Sequence, residues 1–275
     1  MTRAMCNVAM SAALCAGLLG VFAAPAAAQG AKVAVTGGVD FSNRYNFRGI
    51  RQNGGEVSIW PFVDVGAPVF SGDGGLKTVT LNVGTWNAFH TELPDNKWYE
   101  SDLYGTLGLG FGVTTLGFTY TSYMSPGDYW HNVQELAVKL SFDDSSKLGK
   151  GALKPYALVA FELGDGSADG GADKGTYVEL GIAPGYSAPK ASVAFPIKVG
   201  LSAKDYYEFG TGSDSKFGYF SVAGIATVPV NSHWNVHGGV ELQVFGDNLR
   251  SYNGFGDSGD RRYAPIGTIG IGFSY

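Results

Sequence analysis

The sequence is poor in cysteine, in charge and in long apolar segments. Its two cysteines, Cys6 and Cys15, both precede residue 28, so a chain that begins at Gln29 has no disulfide, thiolate nucleophile or cysteine metal site. Charged residues make up 16% of the chain, well below the ~25% of an ordinary soluble domain, and the formal net charge of -5 does not suit a phosphate backbone. No stretch after residue 28 offers about 18 uncharged apolar residues. These deficits argue against nucleic-acid binding and against membrane-spanning helices.

The N-terminal segment has the layout of a secretory signal. Arg3 precedes an apolar run over 11–24, which is followed by Pro25-Ala26-Ala27-Ala28. The run is shorter than the roughly 20 apolar residues that span a membrane. A single cation, a short apolar core and small residues before the cleavage point are typical of exported proteins. We therefore predict a cleaved signal peptide at 1–28 and a single domain at 29–275.

Period-two alternation runs through the rest of the chain. Between Tyr263 and Tyr275 every second residue is apolar or aromatic, apart from Gly267, while most of the residues between them are small or polar. Such alternation predicts strands with two unlike faces, whose register is well specified. Counting these segments gives twelve strands, near 31–42, 56–66, 76–87, 99–109, 113–124, 133–142, 153–163, 176–184, 192–203, 217–228, 233–245 and 265–275.

The same alternation would suit a soluble β-sandwich, so the choice of a barrel depends on further features. Aromatic pairs such as Trp98-Tyr99 and Tyr129-Trp130 lie near predicted strand ends, as in the girdles of membrane barrels. The final strand ends on Tyr275, which resembles the signature that outer-membrane proteins present to the barrel-insertion machinery. We predict an all-β, transmembrane, antiparallel up-and-down barrel of about twelve strands in the bacterial outer membrane, in contact with its lipid and lipopolysaccharide.

One segment carries a resemblance to a known family. Tyr45-Asn46-Phe47-Arg48-Gly49 resembles the Tyr-x-Phe-Arg-Gly motif of the Gcw-type, or TorF-like, outer-membrane proteins of Gram-negative bacteria. Gly84-Thr85-Trp86, the Glu-x-Asp-x-Tyr element at 100–104 and the Asn-x-x-Glu step at 132–135 are similar to other parts of that family. The resemblance covers about 42–141. It implies export and an outer-membrane location, and it brings no established activity.

The alternation projects many charged side chains into the barrel interior. The acidic residues exceed the basic ones, which would favour cations or polar solutes in a narrow channel. The alternative is that ion pairs and hydrogen bonds fill the interior, because a charge away from water needs a partner. Arg48 is a candidate partner for some of the carboxylates and also a candidate selectivity element. The projected residues are Asp40, Glu56, Asp64, Asp102, Glu135, Glu162, Glu179 and Glu241, with Lys139, Lys154 and Lys198.

Four histidines raise the possibility of a membrane hydrolase, which would need a histidine beside a serine. We expect His90 and His131 in outer loops and His233 and His237 near the periplasmic rim, without metal-ligand spacing. We predict no catalytic residue, metal or cofactor, and leave open a pairing of His131 with Ser122 or Ser125. The Asp- and Gly-rich loop 164–175 lacks the spacing of an EF-type calcium loop, and we interpret it as a solvated loop.

The leading functional prediction is therefore a narrow channel for passive passage of small polar solutes. At about twelve strands the bore is modest, and side chains such as Trp60, Phe62, Trp86 and Tyr104 can seal it. The alternative is a non-conducting structural or interaction barrel whose outer loops bind a partner. Conductance would favour the channel, whereas a lumen closed by aromatic and paired charged side chains would favour the interaction barrel.

Overall fold

The computed structural model describes residues 33–171, 173–209, 213–254 and 259–275. Twelve strands form the wall of a barrel, and their residues are rich in the β-branched and aromatic types that favour strands. In chain order they are β1 (Ala34–Ser42), β2 (Ser58–Ser71), β3 (Thr78–His90), β4 (Trp98–Phe111), β5 (Thr114–Met124), β6 (Val133–Phe142), β7 (Tyr156–Leu163), β8 (Thr176–Ile182), β9 (Ile197–Lys204), β10 (Phe217–Pro229), β11 (Trp234–Phe245) and β12 (Tyr263–Ser274).

The wall is closed and antiparallel throughout. Each strand pairs with the next along the chain, and β1 pairs with both β2 and β12. Closure leaves no free edge in the wall, so the backbone groups are paired within the sheet, as hydrocarbon requires. The prediction of a twelve-stranded antiparallel barrel is confirmed. The predicted signal peptide lies outside the described residues.

The even strand number brings both termini of the barrel to one end, which we name the terminal end. The other end, the loop end, carries the connections 43–57, 91–97, 125–132, 164–175, 205–216 and 246–262. The connection 143–155 at the terminal end includes the short helix α1 (Ser145–Leu148), and 246–262 at the loop end includes α2 (Asp247–Gly254). Within the described ranges, no helix has the length and apolar character needed to cross a bilayer.

The two faces of the wall differ as the alternation predicts. Outward positions carry apolar side chains, and Val83, Val240 and Ile269 each expose more than half of their surface. Inward positions carry polar or aromatic side chains, among them Trp60, Glu135 and Gln243, which are buried inside the barrel. An apolar exterior around a polar interior is the pattern of a barrel that faces lipid on one side and a lumen on the other.

Some sequence-based predictions are wrong in detail. The predicted strand 192–203 is interrupted before Ile197, because Pro196 has no N–H for the ladder, and its first part forms a hairpin from Gly185–Ala188 and Ala191–Ala194. Glu56 and Lys154 do not project into the lumen. Both are exposed and lie in connections, Lys154 at a positive φ of 50°.

Candidate functional site

The first loop-end connection turns into the barrel. Asn46–Phe47 and Ile50–Arg51 pair as a short hairpin, and we name residues 45–52 the inner hairpin. Its two-residue turn has φ 49° at Arg48 and 84° at Gly49, the signature of a type I′ turn. Glycine adopts this conformation freely, whereas arginine in it is strained by about 1–2 kcal/mol. The turn therefore keeps the Arg48 backbone in a conformation that arginine disfavours, and it places the Arg48 side chain at the tip of the hairpin.

Arg48 contacts the wall through a two-point ion pair. Its Nη1 donates to Oε2 of Glu135 at 2.5 Å, and its Nη2 donates to Oε1 at 2.8 Å. Nη1 also donates to the Tyr206 hydroxyl at 2.9 Å, and the guanidinium lies 4.2 Å from the ring centroid of Tyr177. The Arg48 and Glu135 side chains are only 6% and 4% exposed. Two parallel hydrogen bonds between a guanidinium and a carboxylate add a fixed geometry to the attraction between the charges.

Further hydrogen bonds anchor the hairpin on the opposite side. Asn253 of α2 donates to the Gly49 carbonyl at 2.7 Å and accepts from the Arg51 amide at 2.9 Å. The Tyr207 hydroxyl donates to the Arg48 carbonyl at 2.9 Å. Asn46 donates to Gln243 of β11, also at 2.9 Å. The hairpin is thus held by the wall, by α2 and by connection 205–216.

The base of the inner hairpin packs into an aromatic cluster on the wall. The Tyr45 ring centroid lies 5.4 Å from that of Trp60 and 5.3 Å from that of Trp86, and Phe47 packs edge-on against Tyr123 at 5.4 Å. All five side chains are buried. Trp60 and Trp86, which the sequence predicts could seal the bore, pack together with Tyr45 and Phe47 of the hairpin. Phe62 packs at the margin of the cluster, and Tyr104 is half-buried.

Two carboxyl groups lie beside this cluster. Glu100 and Asp102 occupy successive inward positions of β4 and are 4% and 0% exposed. Neither oxygen of Asp102 has a hydrogen-bond partner among the described residues. Burial raises the pKa of Tyr45 well above its ordinary value, and the nearby carboxyl groups of Glu100 and Asp102 add to the increase. Tyr45 therefore stays protonated and neutral over them.

A second polar network occupies the lumen farther from the hairpin. Glu179 accepts hydrogen bonds from the hydroxyls of Tyr156, Tyr177 and Tyr219 at 2.7, 2.6 and 3.1 Å. Lys198 lies 3.8 Å from Glu241, which also accepts from Ser221 at 2.6 Å. The Lys139 ammonium lies 4.3 Å from the ring centroid of Tyr156. Glu179, Lys139 and Lys198 are half-buried, so this part of the lumen keeps accessible polar surface.

The remaining predicted lumen residues make structural contacts. Asp40 lies 2.6 Å from Nε2 of His237. Asp64 accepts from Asn82 at 2.7 Å. Glu162 accepts from the amides of Ala168 at 2.6 Å and Gly175 at 2.7 Å, and so ties an interior residue and the last residue of connection 164–175 to the wall.

The structure places ten of the twelve predicted lumen residues inside the barrel, all except Glu56 and Lys154, and it joins Arg48 to Glu135. Their part in selectivity stays a prediction. Sequence reasoning missed Glu100 as an interior residue and missed the inward course of the hairpin. The signal for the hairpin was present, because Arg48-Gly49 between Phe47 and Ile50 matches a two-residue turn that needs positive φ.

The histidines lie in different surroundings. Among the described residues, no histidine hydrogen-bonds to a serine hydroxyl. His90 is buried against Tyr45 and Tyr99, and it is not in an outer loop as expected. His233 contacts the backbone carbonyl of Ser274 at 3.0 Å and stacks on Tyr275.

One group of carboxylates lies on the loop-end connections. Oxygens of Asp173, Asp205 and Glu208 lie within 4.8 Å of one another. Burial is the largest cause of the raised pKa of Glu208, and the nearby carboxylates of Asp169 and Asp173 raise it further. Acidic groups often lie together on loops without an ion, so this geometry by itself assigns no metal.

Comparison with known proteins shows the fold. No protein-family model and no curated protein matches the chain. An outer-membrane channel from Pseudomonas putida F1 is similar in structure, with a TM-score of 0.51, 11% identity, and coverage of 91% of this chain and 97% of that one. The translocator domain of the autotransporter NalP from Neisseria meningitidis follows at TM-score 0.46, with 14% identity and 89% coverage of both chains. An outer-membrane phospholipase from Salmonella typhi has TM-score 0.45 and 12% identity, with coverage of 87% and 89%. At these identities the likeness shows an outer-membrane barrel fold and carries no activity.

Proposed function

We propose that this chain is an outer-membrane channel that the inner hairpin holds closed, and that small polar solutes, cations above others, pass when the hairpin leaves the lumen. The observation that carries the proposal is the buried pair of Arg48 and Glu135. A permanently filled interior gains little stability from such a pair, because apolar side chains of similar volume are often as stable or more so. An ionic contact at the tip of a hairpin is instead one that a charged ligand can replace by binding to one of its two partners.

The polar lumen beyond the hairpin supports the proposal. Glu179, Lys139 and Lys198 keep accessible surface there, as does Asp64 on β2. Of the ten predicted residues that lie in the lumen, seven are acidic and three are basic, so the interior field favours cations. We keep the predicted outer-membrane location, contact with lipid and lipopolysaccharide, and insertion through the strand that leads to Tyr275.

Planar-bilayer recording tests the proposal. We would compare refolded residues 29–275 with a barrel in which 45–52 is replaced by glycine and serine at equal length. We expect rare openings of the native chain and steady conductance of the replaced one, with a reversal potential in a KCl gradient that indicates cation preference. Heat-modifiable migration in gels checks that both barrels are folded. A folded, replaced barrel that never conducts would contradict the proposal.

The closed lumen also favours a second candidate, a non-conducting barrel whose loops bind a partner. Residues Asp173, Asp205 and Glu208 give its loop end an acidic patch. The native chain in the same recording separates the two candidates, because a channel shows rare openings with the inner hairpin in place whereas an interaction barrel shows none.

A further inference from the structure

The wall beneath Tyr45 combines aromatic rings with carboxyl groups. The ring centroids of Trp60 and Trp86 lie 5.8 Å apart, and Asp102 is the register partner of Trp86 on one side and of Tyr123 on the other. We name Trp60, Trp86, Glu100, Asp102 and Tyr123 the aromatic-acidic site. The five residues come from the neighbouring strands β2 to β5, so the sheet holds them in place without the inner hairpin.

Tyr45 occupies this site in the closed barrel. Its ring packs against both tryptophans, and its hydroxyl lies close enough to Glu100 and Asp102 to be affected by their charge. A neutral phenol fills the space between the rings and supplies no positive charge. Tyr45 thus covers both tryptophans and interacts with Glu100 through a neutral hydroxyl group, so the pair of carboxyl groups receives no counter-charge from it.

Asp102 is the more deeply buried of the two carboxyl groups. It is 0% exposed, and neither of its oxygens has a hydrogen-bond partner among the described residues. Neither Glu100 nor Asp102 forms a salt bridge with a described residue, since Arg48 pairs with Glu135. Asp102 interacts with the neighbouring carboxyl group of Glu100, and a buried pair of carboxyl groups is costly to ionise. A ligand that brings positive charge would offset that cost, so the site is suited to a cation.

We propose that the aromatic-acidic site binds an organic monocation, an alkylammonium or quaternary ammonium group, when the inner hairpin leaves. The faces of tryptophan and tyrosine rings attract such cations, and the two carboxyl groups supply the opposite charge. A divalent metal fits less well, because calcium takes six or more oxygens and this site offers two carboxyl groups among rings. The inference rests on the proposed function, because the hairpin must leave the lumen before the site can bind a ligand. It names organic monocations as the class of solute that the channel takes.

Choline binding to the replaced barrel, with glycine and serine at 45–52, tests the inference. Titration calorimetry in detergent would compare choline with 3,3-dimethyl-1-butanol, which has the same shape without the charge. We expect the neutral compound to bind at least about tenfold more weakly, the size of one cation–π contact with charge pairing. Asp102→Asn in the same barrel should lower the affinity for choline by a similar factor, whereas the matched change Asp64→Asn should leave that affinity unchanged.

The native chain should bind choline about tenfold more weakly than the replaced barrel, because Tyr45 competes for the site. Tyr45→Ala in the full chain provides a second variant that empties the site and keeps the rest of the hairpin, and we expect tighter binding than in the native chain. Equal binding of choline and its neutral analogue, or no effect of Asp102→Asn, would overturn the inference. Conductance of the same preparations keeps the two claims apart. A replaced barrel that conducts but does not bind choline refutes only the inference, and one that binds but does not conduct refutes the channel.

Discussion

Replacing Glu135 with glutamine tests whether the ion pair at the hairpin tip keeps the lumen closed. Glutamine retains the volume and one acceptor oxygen of glutamate but removes its charge. Arg48, only 6% exposed, would then be a buried cation whose direct ionic partner is gone. Because the wall strands pair without the inner hairpin, the cost falls on the closed state and not on the barrel itself.

The size of the effect follows from the burial of the pair. Removing one partner of a buried ion pair costs about 3–5 kcal/mol. The hydrogen bond to Tyr206 and the contact with the Tyr177 ring remain, so we take the lower limit. At about 1.4 kcal/mol for each factor of ten, the ratio of closed to open barrels should fall by about two orders of magnitude.

The assay is the single-channel open probability of the native and Glu135→Gln barrels in the same bilayer and salt. Asp64→Asn is the matched control, since it also neutralises a lumen carboxylate, and the partners of Asp64, Asn82 and Tyr104, lie on the wall. The double change Arg48→Met with Glu135→Leu should be more closed than Glu135→Gln, because apolar replacement leaves no unpaired charge. An open probability of Glu135→Gln within about threefold of the native value would refute the reasoning.

Three further predictions concern other parts of the chain. Gly49→Ala should raise the open probability and leave the unfolding of the barrel unchanged. Gly49 has φ 84°, and an added Cβ would lie 2.9 Å from a side-chain carbon of α2. An unchanged open probability would contradict this prediction. Backbone hydrogen bonds, first that from Lys154, hold the pKa of Asp144 below its ordinary value, so its stabilisation is present above the ordinary pKa and is lost as the pH falls through the lowered one. The unfolding temperature should therefore fall more steeply in acid for the native barrel than for Asp144→Ala, and parallel curves would count against it. His237→Ala removes the 2.6 Å contact to the fully buried Asp40 and should lower stability in urea by about 1–3 kcal/mol, a prediction that an unchanged midpoint would exclude.

The sequence predicts the wall well because the wall obeys a single local rule. Alternation fixes which face a residue occupies, and so Asp102, Glu179 and Lys198 all point inward as expected. The rule fails where local geometry changes, as at Pro196, and it says nothing about a connection between strands. Residues 45–52 look like part of a polar outer loop, although their turn pattern and their aromatic residues are those of a packed hairpin.

The contacts inside the lumen are harder to predict than the faces. Arg48 and Glu135 are separated by 87 residues, and alternation gives no information on which carboxylate an inward arginine reaches. The partner depends on how far the hairpin descends, which is set by its bonds to α2 and to β11. The burial of Asp102 without a hydrogen-bond partner likewise depends on the packing of rings from three wall strands, β2, β3 and β5, and has no local signal.

Tethering the inner hairpin tests the central claim most directly. Asn46 and Gln243 are joined by a 2.9 Å hydrogen bond, and residues 29–275 contain no other cysteine, so Asn46→Cys with Gln243→Cys can be bridged by a short reducible thiol crosslinker. Each single variant treated with the same reagent is the control. We expect conductance in a planar bilayer to vanish on crosslinking and to return with cation preference when a reductant releases the bridge. Conductance that persists through the crosslinked barrel would contradict the claim that this hairpin closes the lumen.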